Sequence, residues 1–127
     1  MTLFLNKGNG MNQNKKINYI EFPAKNLELA KHFFSTVFDW HFTDYGPEYI
    51  AFTHAGLEGG FYKAKLASST ENGSALVIIY SDDLLATESK IKAEGGLIIK
   101  PAFDFPGGRR FHFSDPNGNE LAVWSDS

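Results

Sequence analysis

A chain of 127 residues, 43% hydrophobic and carrying 12 Phe, is long enough to bury one core of its own and is read as one folded domain. With Cys 0, a disulfide framework, a thiolate zinc site and a cysteine nucleophile are excluded. The net charge of −3, with lysines and arginines scattered, leaves no footprint for nucleic acid, and no apolar run approaches the ~20 residues that cross a bilayer. The opening MTLFLNKGNGMNQNKK has only Leu3, Phe4 and Leu5 as an apolar block, too short for a signal-peptide core. The expectation is therefore a cytoplasmic protein with no nucleic-acid or membrane partner. Residues 1–15 read as a polar tail in which Leu3, Phe4 and Leu5 dock on the body or on a second subunit.

Regular pattern begins at residue 17. INYIEFP (17–23) reads as a strand, and Asn26 caps the run LELAKHFFSTVF, in which Leu27, Ala30, Phe34, Val37 and Phe38 recur at helical spacing. WHFTDY (40–45), EYIAFTH (48–54) and LEGGFYK (57–63) read as strands, the first two flanking a Gly46-Pro47 turn. A polar link, KLASSTENGS (65–74), follows. The order then restarts with the strand ALVIIYS (75–81) and a helix capped by Asp83 and stopped by Gly95-Gly96. LIIKPAF (97–103), RRFHFS (109–114) and NELAVW (119–124) complete three more strands, with Pro101 marking an edge or a bulge. Sliding Tyr19 onto Leu76 also sets Asn26 on Asp83, Leu27 on Leu84 and Phe34 on Ile91. The domain is thus 16–126, built of half-repeats at about 17–63 and 75–125.

Period two assigns faces. If Ile20 and Phe22 pack beneath the first helix, Tyr19 and Glu21 face the other way, into a concave surface. By the same parity Leu76, Ile78 and Tyr80 are concave and Val77 and Ile79 lie under the second helix. His112 faces opposite to Phe111 and Phe113, toward pocket or solvent.

FFSTVFDWHF after a capped strand and SDPNGNELAVW near the end, with E-F-P-A on the first strand and G-G on the fourth, resemble the vicinal oxygen chelate superfamily. That group includes glyoxalase I, fosfomycin-modifying enzymes, ring-cleaving dioxygenases and bleomycin-resistance proteins. The resemblance spans about residues 17–125. It implies an α+β fold of two βαβββ modules, a curled mixed sheet with a helix on the convex face of each, and a homodimer. Asp39 stands where the family usually has Gly after the first helix, a mild departure because Asp tolerates left-handed backbone.

Members with metal chemistry hold a divalent cation with His and Glu side chains from the concave strands, leaving open positions for a substrate's oxygens. The matching positions here fall on Tyr19, on Leu76, near Gly60 or Phe61, and on Ala122. None carries a ligand side chain, so neither a metal nor another cofactor is expected. Glu120 shares the face of Ala122 but stands ~7 Å nearer the turn. Glu21 and Glu120 share concave parity, which keeps a relocated carboxylate site conceivable; otherwise Glu21 is solvated in the cup or paired with Arg109 or Arg110. His32, His41 and His54 read as surface residues. Gly59-Gly60 lacks phosphate-loop context and reads as a close backbone approach or a bulge.

The leading reading is a metal-free member that binds a small organic molecule in the cup. Tyr19, Tyr62, Tyr80 and Trp124 supply flat surfaces with polar tips, Glu21 and Glu120 supply charge, and His112 completes the candidate binding set. The alternatives are an enzyme, a glyoxalase-like lyase or isomerase or a dioxygenase, using a displaced metal or an acid–base pair such as Glu21 with Tyr19 or His112, and a protein-interaction module whose cup is closed by another chain. No catalytic residue is assigned.

Overall fold

In the computed structural model, which describes residues 12–126, strand β1 (Tyr19–Ala24) enters helix α1 (Leu27–Phe38) through the expected cap. The Asn26 side chain accepts the Leu29 N–H at 3.0 Å, satisfying one of the donors a helix start leaves open. The helix ends at Asp39, held left-handed at φ 61° and ψ 26°, with its N–H returned to the last-turn carbonyls. The reversal brings Trp40 back against the helix, stacked 4.6 Å from Phe34 and 4.5 Å from Phe52. Strands β2 (His41–Asp44), β3 (Tyr49–Thr53) and β4 (Glu58–Lys63) close the first module. The second repeats the order with β5 (Val77–Tyr80), α2 (Leu84–Ala93), β6 (Leu97–Phe105), β7 (Gly108–Ser114) and β8 (Glu120–Ser125). The proposed docking of Leu3, Phe4 and Leu5 lies outside the described residues.

Each module is a four-stranded mixed sheet, ordered β1-β4-β3-β2 and β5-β8-β7-β6. In both, the strand before the helix runs parallel to the last strand, and the remaining neighbours are antiparallel. This is the expected α+β architecture of paired βαβββ units. Strand β5 begins at Val77, so Leu76 precedes it, whereas β6 runs on to Phe105. Pro101 sits on the edge strand β6 within the register shift between Lys100 and Phe103, so both readings of it hold.

Parity works as expected. Phe22, Phe52 and Phe61 on one sheet and Phe111, Phe113, Leu121 and Val123 on the other face inward, all 3% exposed or less. Each such side chain contributes about 1.5–3 kcal/mol of burial, set against the entropy of ordering it. The two modules share one core. Phe33 of α1 stands 6.0 Å from Phe113 of β7, and Phe38 5.9 Å from the same ring. No helix among the described residues is long and apolar enough to cross a membrane.

The turn Asp115-Pro116-Asn117-Gly118-Asn119 fastens the modules together. Asp115 Oδ1 accepts the N–H groups of Asn117 and Asn119 at 2.9 and 2.8 Å, and Gly118 takes the left-handed place at φ 90°. The turn's side chains are then free to reach outward. Asn117 accepts the Asn26 N–H at 2.9 Å and donates to the Asn26 carbonyl at 3.0 Å. Fully buried Asn119 donates to the Pro23 carbonyl and accepts the Ser68 N–H, both at 2.8 Å. One turn thereby holds the end of β1, the start of α1 and the inter-module link.

Candidate functional site

On the helix-free face of the first sheet, Tyr19 and Glu21 of β1 meet Tyr49 of β3. The Tyr49 hydroxyl donates to Glu21 Oε2 at 2.8 Å, which leaves Tyr19 to donate to Tyr49, also at 2.8 Å. Gly60, the β4 neighbour of both Glu21 and Ala51, makes room for the ring: a Cβ there would collide with the Tyr49 hydroxyl and the Ile50 carbonyl. This is the close approach expected of Gly59-Gly60. Burial, then the bonds to Tyr19 and Glu21 and the Glu21 charge, push the Tyr49 hydroxyl far above its ordinary pKa. Burial likewise raises Tyr19. Tyr62 stands on the same face, paired with Tyr49 and Pro23. Glu21 does not pair with either arginine. Arg109 binds Asp104 at 2.8 Å, and the Arg110 guanidinium lies 5.2 Å from the Phe103 ring centre, because both arginines belong to the other sheet.

The helix-free face of the second sheet carries Ile78, Tyr80, Arg110, His112, Glu120, Ala122 and Trp124, as the register of β5, β7 and β8 dictates. His112 and Glu120, 5% and 9% exposed, share a bond of 2.8 Å between Nδ1 and Oε2. The inter-module link crosses here, and Thr70 donates its N–H and its hydroxyl to Glu120 Oε1 at 2.8 and 2.9 Å. Burial pushes the Glu120 carboxyl up, but the bonds from His112 and Thr70 outweigh it and hold the pKa below the usual carboxylate value. Trp124 meets Tyr80 edge-on at 5.1 Å, and the Tyr80 hydroxyl donates to Asp126 at 2.8 Å. A crevice of about 590 Å³ opens between the modules, floored by Phe22, Phe38, Trp40 and Phe52 and bounded by Val77 and Ile79.

All seven candidate binding residues lie on helix-free faces, but they form two groups, not one. Tyr19, Glu21 and Tyr62 belong to the first sheet; Tyr80, His112, Glu120 and Trp124 belong to the second. Glu21 and Glu120 are each committed to different partners. Among the described residues no three His, Cys, Asp or Glu side chains are grouped as metal ligands need to be. His41 and His54 stack on each other at 3.8 Å on the exposed surface, and His32 bonds Glu94 at 3.1 Å. Sequence reasoning missed Tyr49, Arg110 and Thr70. Alternation along EYIAFTH sets Tyr49 on the face of Ala51 and Thr53, a usable signal once Gly60 is placed opposite. Thr70 sits in a link with no periodicity.

Two sheets of βαβββ connectivity sharing a core, with polar and aromatic groups on their helix-free faces, define a paired-module class of protein. The profile of the Glyoxalase/Bleomycin resistance protein/Dioxygenase superfamily matches residues 16–123, and the chain belongs to that superfamily. An uncharacterized protein of Mycolicibacterium smegmatis is 30% identical over 114 residues, covering 87% of this chain and 93% of that one. The fold is similar to that of the fosfomycin resistance protein FosX from Listeria monocytogenes, with a TM-score of 0.74, 16% identity and coverage of 91% and 96% of the two chains. It is also similar to that of a lactoylglutathione lyase from Agrobacterium tumefaciens, with a TM-score of 0.66, 16% identity and coverage of 90% and 96%.

Proposed function

We propose that this chain is a metal-independent member of the superfamily that binds a small organic molecule on the helix-free faces of its sheets. The observation that carries the reading is the donor set. Tyr19 and Ala122 stand on the strand positions where the family resemblance puts cation ligands, and Leu76 precedes β5. The carboxylates nearest them, Glu21 and Glu120, are already bonded to Tyr49 and to His112 with Thr70. A divalent cation needs three or more convergent ligands, and this set does not fit one. What remains is aromatic surface with polar tips, the usual lining of a small-molecule site.

The reading includes a homodimer. Among the described residues, strands β1 and β5 each pair on one side only, and Ile17, Ile78 and Tyr80 are 80%, 44% and 50% exposed nearby. An unpaired strand edge with apolar neighbours is a ready surface for a second copy. Sedimentation equilibrium tests this part, with a concentration-independent monomer as the contrary result.

Metal analysis of protein purified with Mn²⁺, Fe²⁺ or Ni²⁺, together with an NMR screen of small aromatic acids, amines and alcohols, tests the whole. The expected result is substoichiometric metal and shifts centred on Tyr62, Tyr80 or Trp124. One ion per chain, lost on Glu21→Ala or Glu120→Ala, would establish the relocated-metal enzyme instead. Absence of any binding by the screened classes would favour a protein-interaction module.

A further inference from the structure

His112 is held by one ring nitrogen only. Glu120 accepts three hydrogen bonds, from His112 and from both donors of Thr70, and its depressed pKa keeps it ionised at neutral pH. An ionised carboxylate can only accept, so the bonded Nδ1 of His112 carries the proton. In the neutral ring this leaves Nε2 with its lone pair, and Nε2 is buried with no hydrogen-bond partner among the described residues. A buried acceptor left in this way is destabilising unless something donates to it.

A second unmet group lies two residues away on the same face. Arg110 Nε is also buried without a partner among the described residues, and the guanidinium rests against the rings of Phe103 and Phe105, 5.2 and 5.9 Å from their centres. Asp104 is taken by Arg109, and Glu120 by His112 and Thr70. Lys100, the cross-strand neighbour of His112, adds positive charge over Phe103 at 4.7 Å. A guanidinium with one buried, unpartnered N–H and an unpartnered ring nitrogen thus belong to residues spaced about 7 Å along one strand face. Phe103 stands beside both, 6.0 Å from the His112 ring, on the stretch of β6 next to a register shift.

We infer that Arg110, His112 and Glu120 form a subsite for a flat carboxylic acid bearing a hydroxyl at its far end. Arg110 takes the carboxylate, His112 Nε2 accepts the hydroxyl proton, and Glu120 acts through His112 as the positioning residue that fixes the tautomer. Phe103 turns aside to admit the ring and then packs on it. This rests on the small-molecule reading above and narrows it to one sheet and one ligand class.

The probe is 4-hydroxybenzoate, compared with benzoate, using titration calorimetry and ¹⁵N spectra of the imidazoles. In the neutral His112 ring of the free wild-type protein, the proton should sit on Nδ1 and leave Nε2 bare. The hydroxylated acid should bind about tenfold or more tightly than benzoate, the worth of one good hydrogen bond in a buried site. Arg110→Met should weaken both acids tenfold or more. Glu120→Gln keeps acceptance from Thr70 but donates to Nδ1, moving the ring proton to Nε2; it should lower the ratio of 4-hydroxybenzoate to benzoate affinity severalfold. Equal binding of the two acids to wild-type protein, a neutral ring with its proton on Nε2, or indifference to Arg110→Met would each overturn the subsite. If other small molecules then shift Tyr62, Tyr80 or Trp124, the broader function stands; if none of the screened classes binds, both fall together.

Discussion

Asn119→Ala should be among the costliest polar substitutions in this protein. Its side chain is fully buried and serves two elements far apart in sequence, donating to the Pro23 carbonyl and accepting the Ser68 N–H, each at 2.8 Å. Alanine leaves both backbone groups without their partner. The Pro23 residue is buried, so water does not readily replace the lost donor. At about 1–3 kcal/mol for each orphaned group, the loss sums to roughly 2–6 kcal/mol. That is a large share of the ~5–15 kcal/mol by which domains are stable, and corresponds to a fall in Tm on the order of 10 °C. Urea unfolding followed by circular dichroism measures it, with the midpoint expected to drop and the slope to stay constant. Ser69→Ala, which removes only an exposed bond to the Asn72 N–H, is the control and should change stability by less than about 0.5 kcal/mol. If Asn119→Ala is equally mild, the turn is not the fastening between modules described above.

Gly60→Ala should expel the Tyr49 ring from its place beside Glu21; ultraviolet titration would then show the most resistant tyrosine ionising at lower pH, and an unchanged titration would contradict the packing. Burial pushes the Asp115 carboxyl up to about 6 from 3.8, so the folded chain keeps this proton over a range where the unfolded chain has released it. The resulting stability is fully present below pH 3.8 and is lost as pH rises through about 6, by about 3 kcal/mol at 1.36 kcal/mol per unit. Asp115→Asn should remove that dependence, and urea midpoints from pH 3.5 to 7 that run parallel in the two proteins would refute it. Asp39→Gly should be neutral to stabilising by at most about 1 kcal/mol, since the left-handed φ of 61° strains Asp mildly and Gly not at all; thermal unfolding decides.

The elements were legible in the sequence because their causes are local. Asn26 and Asp83 announce helix starts through donors three residues on, Gly95-Gly96 ends the second helix, and Pro101 interrupts a strand that can only be an edge. Alternation alone told Phe22 from Glu21 and Ile79 from Tyr80. The candidate binding residues were found the same way, as the members of each strand facing away from the helix.

Their partners were not legible. Tyr49 meets Glu21 across two intervening elements, Thr70 reaches Glu120 from 50 residues away, and Asn117 closes on Asn26 from 91. Such contacts depend on the order of strands within a sheet and on the path of the link, which period-two patterning does not contain. The sequence by itself determined two βαβββ units and their inward faces. Only the tertiary structure decided that Glu21 and Glu120 serve different sheets and that His112 is buried with one nitrogen engaged. Local propensity chooses which way a side chain points, whereas long-range packing chooses what it meets.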